Sequence, residues 1–429
     1  MFSKLVVKIK IALNHPGLQR DALFVGAATI LSGLGSLVFW KIITLRFPAN
    51  TVGLVFATIA SAGFLGNLST LGLAAGLIRF LPEQVTNQKF WMIRSSSIFG
   101  IFSGFCIGIL FLAGRQWWAP TLLPQSSGLI YPASFIVLLI ALTQHNINGA
   151  TIQAEKKFPY LTVQSMMINI LQISGGILVA TELEEIGILI AYSLPIAITA
   201  IILWFFLPNI GHFGREKEGF ERIVFGNVLK YSFSTQIFGM IWIVPSLIFP
   251  LLVLSQLGAE ANAAFSLSWY AYTFLAIFPN AIMLALFVSG SHDISNLTKY
   301  LRDALLTNVG IILPSIIIFV LLAPWLLNFF GSFYIRATLL LRLLIISILP
   351  MSINGLYATF LRVKKKMALI NLYSIFLIGG SALLSYELIP SLGLNGIGWG
   401  WLIGQAFFSI ISMALITQVQ HRLQSERIL

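Results

Sequence analysis

Twelve apolar runs, each long enough to cross a lipid bilayer, follow one another along this chain, and most of its charge is confined to the short gaps between them. A helical crossing needs about 20 mostly apolar residues. The runs are Ala22–Thr44, Val52–Leu77, Ser95–Leu112, Pro132–Gln153, Leu161–Thr181 and Gly187–Leu207, then Ser232–Leu254, Ala261–Val288, Ala304–Leu327, Thr338–Leu361, Ala368–Tyr386 and Gly396–Val419. Hydrophobic residues make up 58% of the chain and charged residues 9%, where an ordinary soluble domain has about 25% charged. The bilayer is therefore the solvent, and a helix is the element that satisfies its own backbone there.

The placement of the 26 Lys and Arg residues orients the spans. With the N-terminus inside, alternate gaps hold Lys4, Lys8, Lys10 and Arg20; Arg79, Lys89 and Arg94; Lys156 and Lys157; Arg215, Lys217, Arg222 and Lys230; Lys299 and Arg302; Arg362 and Lys364–Lys366; and Arg422 and Arg427. Only Lys41, Arg46, Arg115, Arg336 and Arg342 fall outside. The positive-inside bias thus predicts an integral protein of the cytoplasmic (inner) membrane with both termini cytoplasmic. The net charge of +12 follows from this asymmetry and from headgroup contact, with no need of a nucleic-acid partner. Met1–Arg20 lacks the uninterrupted apolar stretch and small-residue cleavage site of a signal peptide and is expected to lie on the inner surface as an amphipathic helix. Cys106, the single cysteine, lies within the third span, which leaves no disulfide framework or cysteine metal site.

The longest hydrophilic gap, Pro208–Tyr231, divides the spans six and six. The expected organisation is an interfacial segment at 1–20, a six-helix lobe at 21–207, a cytoplasmic linker at 208–231, a second six-helix lobe at 232–419 and a cytoplasmic tail at 420–429. Span four ends in Ile147-Asn148-Gly149 followed by Lys156-Lys157, and span ten in Ile353-Asn354-Gly355 followed by Lys364-Lys365-Lys366. Duplication of a six-span unit makes the repeats parallel, about an axis along the membrane normal, with a substrate cavity expected between them. The fold class read from the sequence is an all-α polytopic membrane protein of two six-helix lobes around a central cavity. Gly100, Gly104 and Gly108, Gly396, Gly400 and Gly404, and Gly72 and Gly76 recur at four-residue spacing, as close helix packing in lipid requires. Pro245 and Pro250 in span seven, Pro279 in span eight and Pro314 in span nine each remove a backbone donor. They mark places where a moving half can bend, Pro245 and Pro250 foremost, or ordinary membrane prolines.

Ionisable groups inside spans are costly and usually face a cavity. Lys41 and Arg46 at the outer end of span one, and Arg336 and Arg342 at the outer start of span ten, break the positive-inside trend and suit a phosphate-bearing ligand. Arg79 with Glu83 one turn on, and Arg94, sit at the inner boundary, where snorkelling competes with a binding role. His145 with Gln144, Asn146 and Asn148 forms a polar stretch of span four. Trp242, Trp269, Tyr270 and Tyr272 either stack on sugar faces or belong to an interfacial aromatic belt.

The missing features narrow the class. The loops are short, the first external loop Leu45–Thr51 has no carboxylate for a lipid-dependent glycosyltransferase, and no phosphate-binding glycine loop of an ATP-driven pump is present. The middle spans lack Asp and Glu, which disfavours a carboxylate relay of the drug-antiporter kind. No catalytic residue, metal site or cofactor is expected.

Three segments carry a family resemblance: Leu45-Arg46-Phe47-Pro48-Ala49-Asn50-Thr51-Val52-Gly53 at the entry to span two, Leu71-Gly72-Leu73-Ala74-Ala75-Gly76-Leu77-Ile78-Arg79-Phe80-Leu81-Pro82-Glu83 at its exit, and Gln153-Ala154-Glu155-Lys156-Lys157-Phe158 after span four. With the six-plus-six layout, the chain resembles the multidrug/oligosaccharidyl-lipid/polysaccharide exporter superfamily, and within it the polysaccharide flippase branch that includes O-antigen translocases. The resemblance implies a central cationic cavity and alternating access that turns a polyprenyl-diphosphate-linked glycan from the inner to the outer leaflet. Arg46, Arg79 and Glu83 match family positions; Lys41, Arg336 and Arg342 rest on charge placement alone. Little cationic charge lies deep in spans one and seven, unlike flippases for cell-wall precursors. The expected partners are the lipid-linked oligosaccharide, membrane lipids and the polymerase and glycosyltransferases of cell-surface polysaccharide biosynthesis, with the chain acting as a monomer. The alternatives are a cation-coupled multidrug exporter of the same superfamily and, less well supported, a polytopic glycosyltransferase.

Overall fold

A computed structural model of the chain describes residues 18–122, 128–179, 181–210 and 222–425. Residues 1–17 of the expected interfacial segment, 211–221 of the expected linker and 426–429 of the tail lie outside the described residues. Every regular element among the described residues is helical. Twelve of the helical segments there are long and apolar enough to cross a membrane, and each overlaps one of the expected runs.

The helices are α1 (Leu18–Arg46), α2 (Ala49–Ser69), α3 (Leu73–Phe80), α4 (Thr86–Ala113), α5 (Arg115–Trp118), α6 (Ile130–Ala154), α7 (Pro159–Leu178) and α8 (Glu184–Ile210), followed by α9 (Arg222–Leu257), α10 (Ala259–Leu275), α11 (Ile277–His292), α12 (Leu297–Phe330), α13 (Thr338–Val363), α14 (Met367–Leu392) and α15 (Leu394–Ser425). They form two compact units, one reaching Pro48 and continuing from Thr58 to Met240, the other made of Ala49–Ala57 and Ile241–Leu429. Both α2 and α9 are thereby divided: α2 gives its first turns to the second unit, and α9 gives its residues up to Met240 to the first.

Span two is not the continuous helix expected over Val52–Leu77. It stops at Thr70 and restarts at Leu73, because Leu71 (φ 46°) and Gly72 (φ 78°) are both left-handed. The Thr70 hydroxyl donates to the Asn67 carbonyl at 2.8 Å and accepts from the Gly72 N–H at 3.3 Å. A Cβ at Gly72 would sit 2.0 Å from the Ser232 carbonyl oxygen, so glycine is required for the approach as well as for the turn. Span eight breaks too, at Ala276, where Pro279 occupies the first turn of α11. Its ring would clash with the Leu275 carbonyl if α10 ran on.

The duplication is visible in hydrogen bonds. Lys156 (φ 55°) and Lys365 (φ 56°), 209 residues apart, both take the left-handed position that ends a helix. Each precedes a six-to-one bond, Lys157 N–H to Ile152 O at 2.9 Å and Lys366 N–H to Leu361 O at 3.1 Å. Glycine is usual at that position. The same separation of 209 relates the pair His145–Gln164 (2.9 Å) to Asn354–Tyr373 (3.0 Å). The tripeptide match at Asn148 and Asn354 has a separation of 206, so it is displaced from the structural repeat by three residues, close to one helical turn. The interaction survives the displacement: Asn148 donates to the Ala200 carbonyl of span six at 3.2 Å, and Asn354 to the Gln405 carbonyl of span twelve at 2.9 Å.

The glycine rows pack as their spacing requires. Gly100, Gly104 and Gly108 lie against Ile147, Leu139, Ile140 and Ile136 of α6. Gly400 and Gly404 put α15 on the backbone of α14, where a Cβ would fall 2.3 Å from the Ser385 nitrogen and from the Ser381 hydroxyl.

Candidate cationic site

The segment that ends Ile78-Arg79-Phe80-Leu81-Pro82-Glu83 folds as α3 plus one 3-10 turn. Leu73, Leu77 and Leu81, four residues apart, are fully buried and pack with Met92, Ile93, Ile147, Ala150 and Ala154 of α4 and α6. The opposite face presents Arg79 and Glu83, an i,i+4 ion pair at 2.5 Å with side chains 58% and 52% exposed. At that exposure the pair contributes little to stability, and both groups are accessible to a ligand.

Next to it stands a pair that sequence reasoning missed. Lys89 at the start of α4 meets Glu155 just beyond α6 at 2.8 Å, with side chains only 18% and 15% exposed. Its signal lay in Glu155 of the Gln153–Phe158 segment, an acid beside the cations Lys156 and Lys157. Lys157 beside it is more readily deprotonated than an ordinary lysine, chiefly because it is partly desolvated; Lys89 adds to the effect and Glu155 opposes it.

Arg94 lies inside span three, which begins at Gln88. Its guanidinium sits 3.9 Å from the centre of the Trp204 ring of α8 and 5.6 Å from that of Phe90. An indole face stabilises such a cation by about 2 kcal/mol when desolvated, and no periodicity in the sequence pairs residues 94 and 204. In span four, His145 bonds Gln164 through Nδ1, and Gln144 donates to the Ser97 carbonyl at 2.9 Å. His145 is half-buried, while Asn148 is buried and committed to Ala200.

The cations expected on the outer side are held by the protein's own groups. Arg46 donates through Nη1 to the Gly176 carbonyl at 2.7 Å and to the Ile177 carbonyl, closing the C-terminal end of α7. Arg342 donates through Nε to the Val320 carbonyl at 3.1 Å. Pro324 follows Val320 by four residues inside α12 and has no N–H to give it. Arg336 lies over the Phe333 ring and meets Glu260 at 3.4 Å, both side chains exposed. Lys41 is half-buried in α1, its carbonyl accepting from Thr44 at 3.1 Å.

In the second unit, Trp269 belongs to an aromatic cluster with Phe249, Phe265, Tyr272 and Trp401, at centroid distances of 5.1 to 5.7 Å from it. Tyr270, next to it, is half-buried. The indole nitrogens of Trp242 and Trp269 are buried and have no hydrogen-bond partner among the described residues. Asn262 donates to the Gly53 carbonyl at 2.7 Å, and a Cβ at Gly53 would lie 1.7 Å from the Ala259 carbonyl oxygen. This close approach accounts for the glycine of the Leu45–Gly53 segment. Helix α9 runs without interruption through Pro245 and Pro250, which free the carbonyls of Ile241 and Ser246.

No protein-family model and no curated protein matches the sequence. Solved structures do. The inward-facing form of a multidrug resistance MATE family transporter of the MOP superfamily superposes with a TM-score of 0.74 at 15% identity, covering 94% of this chain and 99% of that one. The lipid II flippase MurJ in an inward closed conformation gives 0.76 at 14% identity, over 92% and 87%. A MOP superfamily transporter from Pyrococcus furiosus, described as having a binding pocket of reverse polarity, gives 0.64 at 15% identity, over 94% and 96%. The chain has the fold of MOP superfamily transporters.

Proposed function

We propose that the chain is a flippase of this fold that carries a polyprenyl-diphosphate-linked oligosaccharide from the inner to the outer leaflet by alternating access, in the synthesis of a cell-surface polysaccharide such as O-antigen. The fold serves multidrug transporters and a lipid flippase alike, so the reading rests on the site. The observation that carries it is Arg94: a permanent cation inside an apolar span, laid on the Trp204 indole at 3.9 Å. A guanidinium on an aromatic face keeps its charge in an apolar setting, and its planar fork of N–H donors is the geometry that phosphate oxygens match. Arg79 and Glu83 stand exposed at the same end of the first unit, where an incoming anionic head would first meet the protein. In the second unit the indole donors of Trp242 and Trp269 suit sugar hydroxyls.

The test replaces Arg94 with Gln and with Lys and follows surface polysaccharide, accumulated lipid-linked precursor and protein level together. Losing one charge-assisted contact to phosphate, about 1.5–3 kcal/mol, is expected to cut transport roughly tenfold or more in Arg94→Gln at normal protein level, with Arg94→Lys intermediate. Unchanged polymer in both variants removes Arg94 from the mechanism. Drug resistance conferred by the chain, with precursor levels unaffected, favours the exporter alternative.

A further inference from the structure

The turns that end spans four and ten have the same backbone and opposite electrostatics. At the repeat separation of 209, Gln153 corresponds to Arg362, Glu155 to Lys364, Lys156 to Lys365 and Lys157 to Lys366. Replacing Gln by Arg and Glu by Lys makes the second turn more positive by three charges. Lys89, which pairs with Glu155 in the first unit, corresponds to Thr298 in the second, so that ion pair has no counterpart at these positions.

Arg362, Lys364, Lys365 and Lys366 are all exposed, and among the described residues none of the three lysines enters an ion pair. Aromatic faces position two of the cations instead. The Arg362 guanidinium lies 4.5 Å from the Phe287 ring centre, and Lys364 Nζ 4.7 Å from that of Phe360. The left-handed Lys365 holds the turn tight, so the three lysines leave one short loop.

The chain then enters α14, whose first turns expose Met367, Leu369, Leu372, Ile375 and Phe376. Exposed cations thus stand directly at the head of an exposed apolar strip within a membrane-spanning helix. We infer that the α13–α14 turn seats an anionic phospholipid, its phosphate on Lys364–Lys366 and its acyl chain along α14. A phosphate group alone matches only the cations, and an acidic protein segment leaves the strip unused; a lipid matches both. The α6–α7 turn, where Glu155 offsets one of Lys156 and Lys157 and is itself paired to Lys89, carries a net charge of +1 over residues 153–157 against +4 over residues 362–366, so its preference is the weaker. This seat is independent of what the protein carries.

The experiment measures binding of spin-labelled phosphatidylglycerol relative to phosphatidylcholine by the full chain in nanodiscs. Each near-surface cation is worth roughly fivefold for an anionic headgroup. Joint replacement Lys364→Gln, Lys365→Gln and Lys366→Gln is expected to lower the preference at least tenfold, and Lys156→Gln on the other turn to lower it less than Lys365→Gln, the replacement at the matching position. Lys365→Gln alone, expected to give a severalfold loss, keeps the test open should the triple variant fold poorly. An unchanged preference in these variants, or an equal loss in Lys156→Gln, overturns the assignment. Displacement of the lipid by millimolar inorganic phosphate overturns it in favour of a free-anion site, and displacement by an acidic peptide in favour of a protein partner.

Discussion

Replacing Arg342 by leucine tests whether this cation serves the fold or a ligand. Pro324 leaves the Val320 carbonyl of α12 without its helical donor, and in lipid no water replaces it. Arg342 Nε fills the gap at 3.1 Å from α13. A hydrogen bond from a charged donor contributes about 1.5–3 kcal/mol, and losing it leaves the carbonyl unsatisfied. Arg342→Leu should therefore destabilise the second unit by roughly 2 kcal/mol. Pro324→Ala restores an N–H to α12 and the helical bond to Val320, so in that background the cost of Arg342→Leu should fall to about 0.5 kcal/mol or less. Reversible unfolding of the four proteins in mixed micelles gives the coupling energy directly. Additive effects would refute the reasoning, and they would return Arg342 to the set of ligand-facing cations if transport fell while stability did not.

Arg46→Met should destabilise the first unit by about 1–2 kcal/mol by opening the end of α7, whereas Arg79→Gln, which breaks an exposed pair, should cost at most about 0.5 kcal/mol; thermal unfolding of the two variants separates them. Gly400→Ala and Gly404→Ala drive a methyl into α14 and should each cost about 1–3 kcal/mol or prevent folding, while Gly310→Ala, with open space around it, should be neutral or stabilising. Lys157 should acylate at lower pH than an ordinary lysine, read by mass spectrometry of pulse-labelled protein. Glu155→Gln removes the group that raises the proton affinity of Lys157 and should shift its labelling to lower pH still, and a shift upward would contradict that attribution.

The architecture was legible because lipid enforces it. Runs of about 20 apolar residues have to be helices, and the glycine spacing in α4 and α15 identified faces that do meet neighbouring helices. The break in span two was hidden, since Leu71 is an apolar residue in a left-handed conformation that its type disfavours. The Ile-Asn-Gly match pointed to a real duplication yet at a register three residues off, because each asparagine needs only a carbonyl on the neighbouring helix and a one-turn slip supplies another. The candidate site was legible as a set of charges and not as a set of partners. Arg46 and Arg342 are bound to carbonyls that sequence position does not expose, one at a helix end and one beneath a proline. The pairs Arg94–Trp204 and Lys89–Glu155 join residues more than 60 positions apart.

Transbilayer movement of the proposed cargo is the decisive measurement. Purified protein in vesicles loaded with a fluorescent polyprenyl-diphosphate oligosaccharide should bring the glycan within reach of an added membrane-impermeant quencher faster than protein-free vesicles do, with Arg94→Gln roughly tenfold slower. Movement no faster than in protein-free vesicles, from protein that is folded and that exchanges cationic drugs across the same membrane, would contradict the account.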